Sequence, residues 1–270
     1  MLLAIDVGNT QTVLGLLKPA ESGERDDEVS VLEHWRVSTA AERTADEWAV
    51  LLDGLLTRRG LSLNGVDGVA MCSTVPAVLR EMRDMSEHAF AHLPTVVVEP
   101  GVRTGIPVLV DNPREVGTDR IVNSLAAVHL YGGPAIVVDF GTATTFDAVS
   151  VAGAYVGGAI APGIGISLDA LGLRGAQLRK VELTAPRSVI GKNTVEALQS
   201  GALYGFAAQV DGMVERMATE LHDDPDEVAV IATGGLAPVM IGEARSLAQH
   251  EPWLTLIGLH LVWERNHRAP

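Results

Sequence analysis

The chain has 270 residues, 47% of them hydrophobic and 20% charged, which excludes a disordered chain or a collagen-like fibre and gives length enough for two domains. Its 20 basic and 34 acidic residues give a net charge of −14, which argues against non-specific nucleic-acid binding and requires any anionic ligand to find locally placed donors. A single cysteine, Cys72, excludes a disulfide framework within the chain and a cysteine-rich metal site. The start, MLLAIDVGNT, has no basic segment ahead of its apolar run, and Asp6 interrupts that run, so a soluble, cytoplasmic protein is expected.

In chain order, residues 4–13 (AIDVGNTQTV) read as a β-hairpin: an apolar run, Asp6, a glycine-containing turn and a second β-branched run. Glu21–Glu28 is a charged, solvated turn. Thr44-Ala-Asp-Glu47 is a capping box, followed by Trp48, Leu51, Leu52, Leu55 and Leu56 at helical spacing, and Gly60 stops the helix. Val66–Met71 reads as a buried strand, Pro76–Leu93 as a helix and Thr95–Val98 as a short strand. The Pro- and Gly-rich stretch Pro100–Gly117 is the expected crossing between two lobes, and a helix follows over Thr118–Leu130.

Residues 137–146 (VVDFGTATTF) then echo residues 4–13 at an offset of 133: Asp6 aligns with Asp139, Gly8 with Gly141, Asn9 with Thr142 and Thr12 with Thr145. Two such hairpins half a chain apart predict a duplicated α/β domain. Ala148–Leu168 carries no charge and has the length of a membrane span, but Gly153, Gly157, Gly158, Pro162, Gly163 and Gly165 favour strands and tight turns. A long helix is predicted over Thr194–Leu221, then an acidic turn at Asp223–Glu227 and a strand over Val228–Ala232 ending in Thr233-Gly234-Gly235. The C-terminal helix is expected to pack back on the first lobe, with Ala269 and Pro270 loose.

Several chemical motifs fail. Gly191-Lys192-Asn193-Thr194 has the Lys of a P-loop but Pro186 where the upstream Gly belongs, and Asn where Ser or Thr must follow the Lys. Gly163-Ile-Gly165 lacks a third glycine, and no βα unit is read there. His88 and His92 stand four apart without a third ligand and read as a solvated helix face. Cys72 ends an apolar strand and reads as a small buried hydrophobe.

A nucleotide site survives. Glycine turns expose backbone N–H groups that cradle phosphate oxygens, an Asp at a strand end can hold Mg²⁺, and two such turns facing each other would grip a triphosphate. Gly234 and Gly235 let backbone approach a nucleoside. In Gly117-Thr118-Asp119-Arg120, Thr118 can cap the helix and leave Asp119 in its first turn, where the macrodipole favours its charge. Simple N-terminal capping explains that pattern too, but Asp119 and Arg120 also offer a base beside a carboxylate-binding guanidinium.

Taken together, Asp6-Val-Gly-Asn-Thr10, Asn112-Pro-Arg-Glu-Val-Gly-Thr-Asp-Arg120, Asp139-Phe-Gly-Thr142, Gly157-Gly-Ala-Ile-Ala-Pro-Gly163 and Thr233-Gly-Gly235 resemble type III pantothenate kinases, of the acetate and sugar kinase, Hsp70 and actin superfamily. The resemblance implies an α/β fold of duplicated actin-like (ribonuclease H-like) domains, each a mixed sheet flanked by helices. It implies an N-terminal lobe over 1–115 and a C-terminal lobe over 116–270. It implies transfer of the ATP γ-phosphate to pantothenate, the first step of coenzyme A synthesis, by a homodimer that uses Mg²⁺ and a monovalent cation, K⁺ or NH₄⁺, with no nucleic-acid or membrane partner.

By the same resemblance Asp6, Val7, Gly8, Asn9, Thr10, Gln11, Thr12 and Val13 form the first phosphate loop, with Asp6 near the divalent metal. Thr142, Gly234 and Gly235 contact ATP, and Asp139 is the K⁺ ligand. Gly117, Thr118, Asp119, Arg120 and Thr194 bind substrate, Asp119 as proton acceptor. Many members carry an aromatic residue just before the Asn-Pro of the substrate segment; here Val110-Asp111 stands there, which alters the expected pocket. The competing reading is a non-catalytic nucleotide-binding regulator of the same fold, akin to a transcription accessory factor. A sugar kinase of the superfamily and an exopolyphosphatase-like hydrolase stand behind it.

Overall fold

A computed structural model describes residues 1–19, 29–174 and 181–267. The expected turn at Glu21–Glu28 and the expected loose end at Ala269 and Pro270 lie outside the described residues. The contacts divide the chain into two compact units. The first holds Met1–Gly105, Asn112–Ala126 and Trp253–Pro270; the second holds Ile106–Asp111 and Ala127–Pro252.

The first unit is built on a five-stranded mixed sheet of order β3-β2-β1-β4-β5. Strands β1 (Leu2–Val7) and β2 (Gln11–Pro19) form the hairpin read from the sequence, and β3 (Val29–Ser38) extends it antiparallel. On the other side β4 (Gly68–Ser73) runs parallel to β1, and β5 (Thr95–Val97) parallel to β4. Helix α1 (Ala45–Thr57) carries the capping box expected of it: Thr44 accepts from the Glu47 N–H, and the Glu47 carboxylate accepts from the Thr44 N–H at 2.9 Å. Its buried Trp48, Leu52 and Leu56 meet Val78, Met82 and Met85 of α2 (Pro76–Ala89) and the sheet residues Leu3, Ile5, Val7, Leu14 and Leu16 in one core. Helix α2 ends at Ala89, short of the predicted Leu93, because the buried Phe90 turns the chain out at the cap.

The second unit repeats the plan. Its sheet has the order β10-β9-β6-β7-β8. Strands β6 (Ala135–Phe140), β7 (Ala143–Val149) and β8 (Tyr155–Pro162) form an antiparallel meander, while β9 (Ala229–Thr233) and the short β10 (Gln249–His250) are parallel to β6 and β9. Strand for strand, β6 to β10 reproduce β1 to β5, the duplication that the sequence echo predicts. Helix α3 (Thr118–Tyr131) precedes β6. Helix α4 (Ile164–Arg174) follows β8 directly, so Gly163-Ile-Gly165 does join a strand to a helix, contrary to the sequence reading. The 28-residue α5 (Thr194–Leu221) has the predicted bounds, with Asn193 capping it by accepting from the Glu196 N–H. That cap is the work of the Gly191–Thr194 stretch, which is no P-loop. Val210, Val214 and Ala218 of α5 pack with Val138, Phe140 and Phe146 of the sheet and with Met240 of α6 (Ala237–Met240).

The uncharged stretch Ala148–Leu168 supplies the end of β7, a turn, β8 and the start of α4, and no helix among the described residues is long and apolar enough to cross a membrane. Helix α7 (Leu254–His267) returns to the first unit, as expected of the C-terminal helix, and contacts β1 and β4.

Candidate active site

In the first unit the chemistry gathers at the carboxyl end of β1. Parallel pairing sets Asp6 beside Cys72 of β4, and antiparallel pairing sets it opposite Val13 of β2. Cys72 is buried, as the sequence reading expects, and its thiol also donates to Asp6 Oδ1 at 3.4 Å. The Asp6 carboxyl is pushed up to about 7, first by burial and then by the charge of Asp119; the Cys72 contact and the charge of Arg36 pull the other way. Asp119 stands in the first turn of α3, also raised above the ordinary carboxylate range by burial, against the backbone N–H and guanidinium of Arg120. Two residues separated by 113 positions in sequence thus lie within electrostatic reach of each other.

Thr118 does not cap α3. The helix begins at Thr118 itself, and its hydroxyl donates to the Ser73 carbonyl at the end of β4, 3.4 Å away. The Asp119 carboxylate accepts from the Arg120 N–H at 2.9 Å. Together these bonds anchor the Gly117–Arg120 segment beside the strand that carries Cys72.

The first hairpin tip is closed by the Gly8 N–H donating to the Gln11 carbonyl at 3.1 Å, which leaves Asn9 and Thr10 exposed at the turn. Thr39, just past β3, holds the tip from below. Its N–H donates to the Thr10 carbonyl at 3.0 Å, and its hydroxyl donates to the Gly8 carbonyl at 2.7 Å. The buried Thr12 hydroxyl lies 2.9 Å from the Thr39 hydroxyl and, since that proton is committed to Gly8, is the donor of the pair. Asn9 Nδ2 donates to the Thr74 hydroxyl at 3.4 Å. Thr39 and Thr74 were not singled out in the sequence; no motif flags a threonine that supports a loop remote from it in the chain.

The second unit has the corresponding turn at Gly141-Thr142, both exposed. It is one residue shorter: four residues separate the paired Val7 and Thr12, whereas three separate Phe140 and Thr144. The structural counterpart of Thr12 is therefore Thr144, not Thr145 as the ungapped echo implies. Gly163 takes the place of Thr39, its N–H donating to the Thr142 carbonyl at 3.1 Å. A Cβ there would collide with the Thr142 carbonyl and stand 2.7 Å from that of Gly141, so only glycine fits so close to the turn.

Asp139 pairs with Thr233 of β9 as Asp6 pairs with Cys72 of β4. The chain then turns through Gly234, whose positive φ of 91° and contact with Asp139 Oδ1 and the Phe140 backbone exclude a side chain. Thr142, Asp139, Gly234 and Gly235 thus share one end of the second sheet. Thr194 opens α5. Val110 lies 4.0 Å from the place a Gly157 Cβ would take, on a segment held to Tyr155 of β8 by the Leu109 N–H.

Among the described residues no cluster of three or more His, Cys, Asp or Glu forms a self-sufficient metal centre.

A family model described as type III pantothenate kinase matches residues 2–216 of the chain. A type III pantothenate kinase of Streptomyces avermitilis is 64% identical over 270 residues, covering 98% of each chain. One of Thermobifida fusca is 62% identical over 266 residues, covering 98% of this chain and 100% of its own. Among solved structures, a Baf family protein of Campylobacter jejuni matches with a TM-score of 0.58 at 16% identity, over 99% of this chain and 100% of that one. Component A of the (R)-2-hydroxyglutaryl-CoA dehydratase of Acidaminococcus fermentans matches with a TM-score of 0.51 at 14% identity, over 96% and 94% of the two chains. The last two likenesses speak for the fold alone, a duplicated actin-like one.

Proposed function

The chain belongs to the type III pantothenate kinase family, and we propose that it transfers the γ-phosphate of ATP to the primary hydroxyl of pantothenate, the first step of coenzyme A synthesis. The observation that carries this reading is identity of 58–64% with kinases of that name along almost the whole chain. The same full-length likeness disfavours a regulator without turnover.

In this reading Asp119 takes the proton of the attacking hydroxyl. Burial raises its pKa above the ordinary carboxylate range, the direction that makes it a better proton acceptor. Arg120 holds the pantothenate carboxylate, with Gly117, Thr118 and Thr194 completing the substrate contacts. The first hairpin, Asp6 to Val13, and in the second unit Thr142, Gly234 and Gly235 bind ATP. Phosphoryl transfer needs mainly positioning and neutralisation of charge.

Asp6 would hold Mg²⁺. The fit rests on the buried Asp6 carboxyl, whose affinity for a proton is raised by burial and then by the charge of Asp119, a cost that a dication relieves. Asp139 would hold K⁺ or NH₄⁺ beside the Gly234 backbone. When bound, the ions screen the triphosphate charge. We also place the enzyme in the cytoplasm as a homodimer; the exposed apolar side chains Ile166, Leu171, Leu173, Val189, Ile190 and Val195 of the second unit support a partner surface there.

The experiment is a coupled assay for ADP with ATP, Mg²⁺, K⁺ and pantothenate, repeated without K⁺ and with hexoses or glycerol as acceptors. ADP formation that requires pantothenate and is stimulated by K⁺ is expected, and the Asp139→Ala variant loses the stimulation. ADP formation indifferent to pantothenate overturns the reading.

A further inference from the structure

Beside the first hairpin the first unit has a cavity of about 520 Å³, lined by Val13, His34, Trp35, Arg36, Leu55 and Trp253. The cavity does not enclose Asp6 or Asp119, but Arg36 ties it to Asp6. Register places Asp6 opposite Val13, and Val13 opposite Arg36. Directly opposed residues project from the same face of a sheet, so Asp6, Val13 and Arg36 form one row across β1, β2 and β3. Two interstrand spacings, about 10 Å, separate the outer backbones, a gap that a long arginine side chain largely crosses. The guanidinium charge is felt at Asp6.

Arg36 is exposed, and among the described residues no carboxylate lies within ion-pairing distance of it. Its neighbours on the same sheet edge are otherwise engaged: Glu33 pairs with Arg59 at 3.4 Å, and His34 packs its ring 4.0 Å from that of Trp253. A lone guanidinium on the row of a crowded carboxylate, in a chain of net charge −14 without a P-loop lysine, is matched to an anion brought in from solution.

We propose that Arg36 is a substrate-binding residue that holds the phosphate oxygens of the nucleotide at the mouth of this cavity, offering the paired donors that guanidinium presents to phosphate. The inference rests on the kinase reading and assigns to β3 a part of the ATP site outside the hairpin turns.

The test compares wild type with Arg36→Gln and Arg36→Lys. A charged hydrogen bond contributes about 1.5–3 kcal/mol, or roughly a tenfold to a hundredfold change in affinity. In Arg36→Gln the KM for MgATP is expected to rise by that factor while the KM for pantothenate stays put, and Arg36→Lys recovers part of the loss. Independently of turnover, the rise in melting temperature given by saturating MgATP, read from each protein's own nucleotide-free value, shrinks in Arg36→Gln. An unaltered KM for MgATP and an unaltered nucleotide-induced shift overturn the proposal. So does an equal rise in both KM values, which marks a structural role. Failure of the kinase reading itself shows separately, as wild-type protein that forms no ADP in the presence of pantothenate.

Discussion

At Asp6 burial and the nearby Asp119 charge outweigh Cys72 and Arg36 and push the carboxyl up to about 7, far above the ordinary aspartate value of about 3.9. The folded chain therefore holds a proton between about pH 4 and 7 that the unfolded chain has released. Stability from this group is full below the unfolded pKa and is lost as pH rises through the folded one. Without metal or nucleotide, chemical denaturation should show wild type weaker at pH 8 than at pH 5. Asp6→Asn removes the buried charge and should be more stable than wild type at pH 8 by about 1–3 kcal/mol, the range allowing for the partial exposure of the group, with little difference at pH 4. A variant no more stable than wild type at pH 8 would contradict the assignment of strain to this carboxylate. Asp119→Asn acts on the reaction instead: kcat should fall about 10²–10⁴-fold with the KM for ATP little changed, and near-normal turnover would remove Asp119 as the base.

At the scale of elements, the duplicated hairpin can be tested by comparing its copies. Thr12 and Thr144 are both fully buried and occupy the same place below their turns, but Thr12 donates to Thr39 whereas the Thr144 hydroxyl has no partner among the described residues, because Gly163 stands where Thr39 would. Replacing a bonded hydroxyl with a methyl costs about 1 kcal/mol, whereas replacing an unsatisfied one costs nothing or stabilises. Urea denaturation should find Thr12→Val destabilised by about 1 kcal/mol and Thr144→Val neutral or more stable; equal losses would refute the asymmetry. Only the structure exposes this pairing, since an ungapped sequence echo matches Thr12 to Thr145 and cannot see that the second turn is a residue shorter. Elements with local signals were legible: α1 from its capping box, α5 from the length of its run, both hairpins from Asp and Gly between β-branched runs. Strand β3 was not, because Glu33, His34 and Arg36 break its apolar alternation at a sheet edge, where side chains can be charged. The proximity of Asp6 to Asp119 and the thiol on Asp6 were invisible for a different reason: they depend on β4 lying beside β1, a long-range pairing with no local signature.

For the whole molecule, the order of the chain is not the order of its units, since the last helix completes the first one. Helix α7 sits flush on the sheet because small residues face it. A Cβ on Gly15 would stand 2.5 Å from Leu256 Cδ1, and one on Gly68 2.5 Å from Trp263 Nε1; on the helix itself, Gly258 meets the Val122 carbonyl of α3. Leu254, Leu256, Ile257, Leu259, Leu261 and Val262 are buried there. At about 1.5–3 kcal/mol for each fully buried aliphatic side chain, their removal forfeits an amount comparable with the roughly 5–15 kcal/mol that stabilises a typical domain. A chain ending at Pro252 should therefore lose more than a terminal helix: it exposes the apolar underside of β1 and β4, the strands that carry Asp6 and Cys72. The expected outcome is an aggregating protein, or one whose first unit shows no cooperative unfolding by circular dichroism and whose pantothenate-dependent ADP formation is absent. A soluble truncated protein that melts like the full chain would show that the first sheet needs no cover from α7.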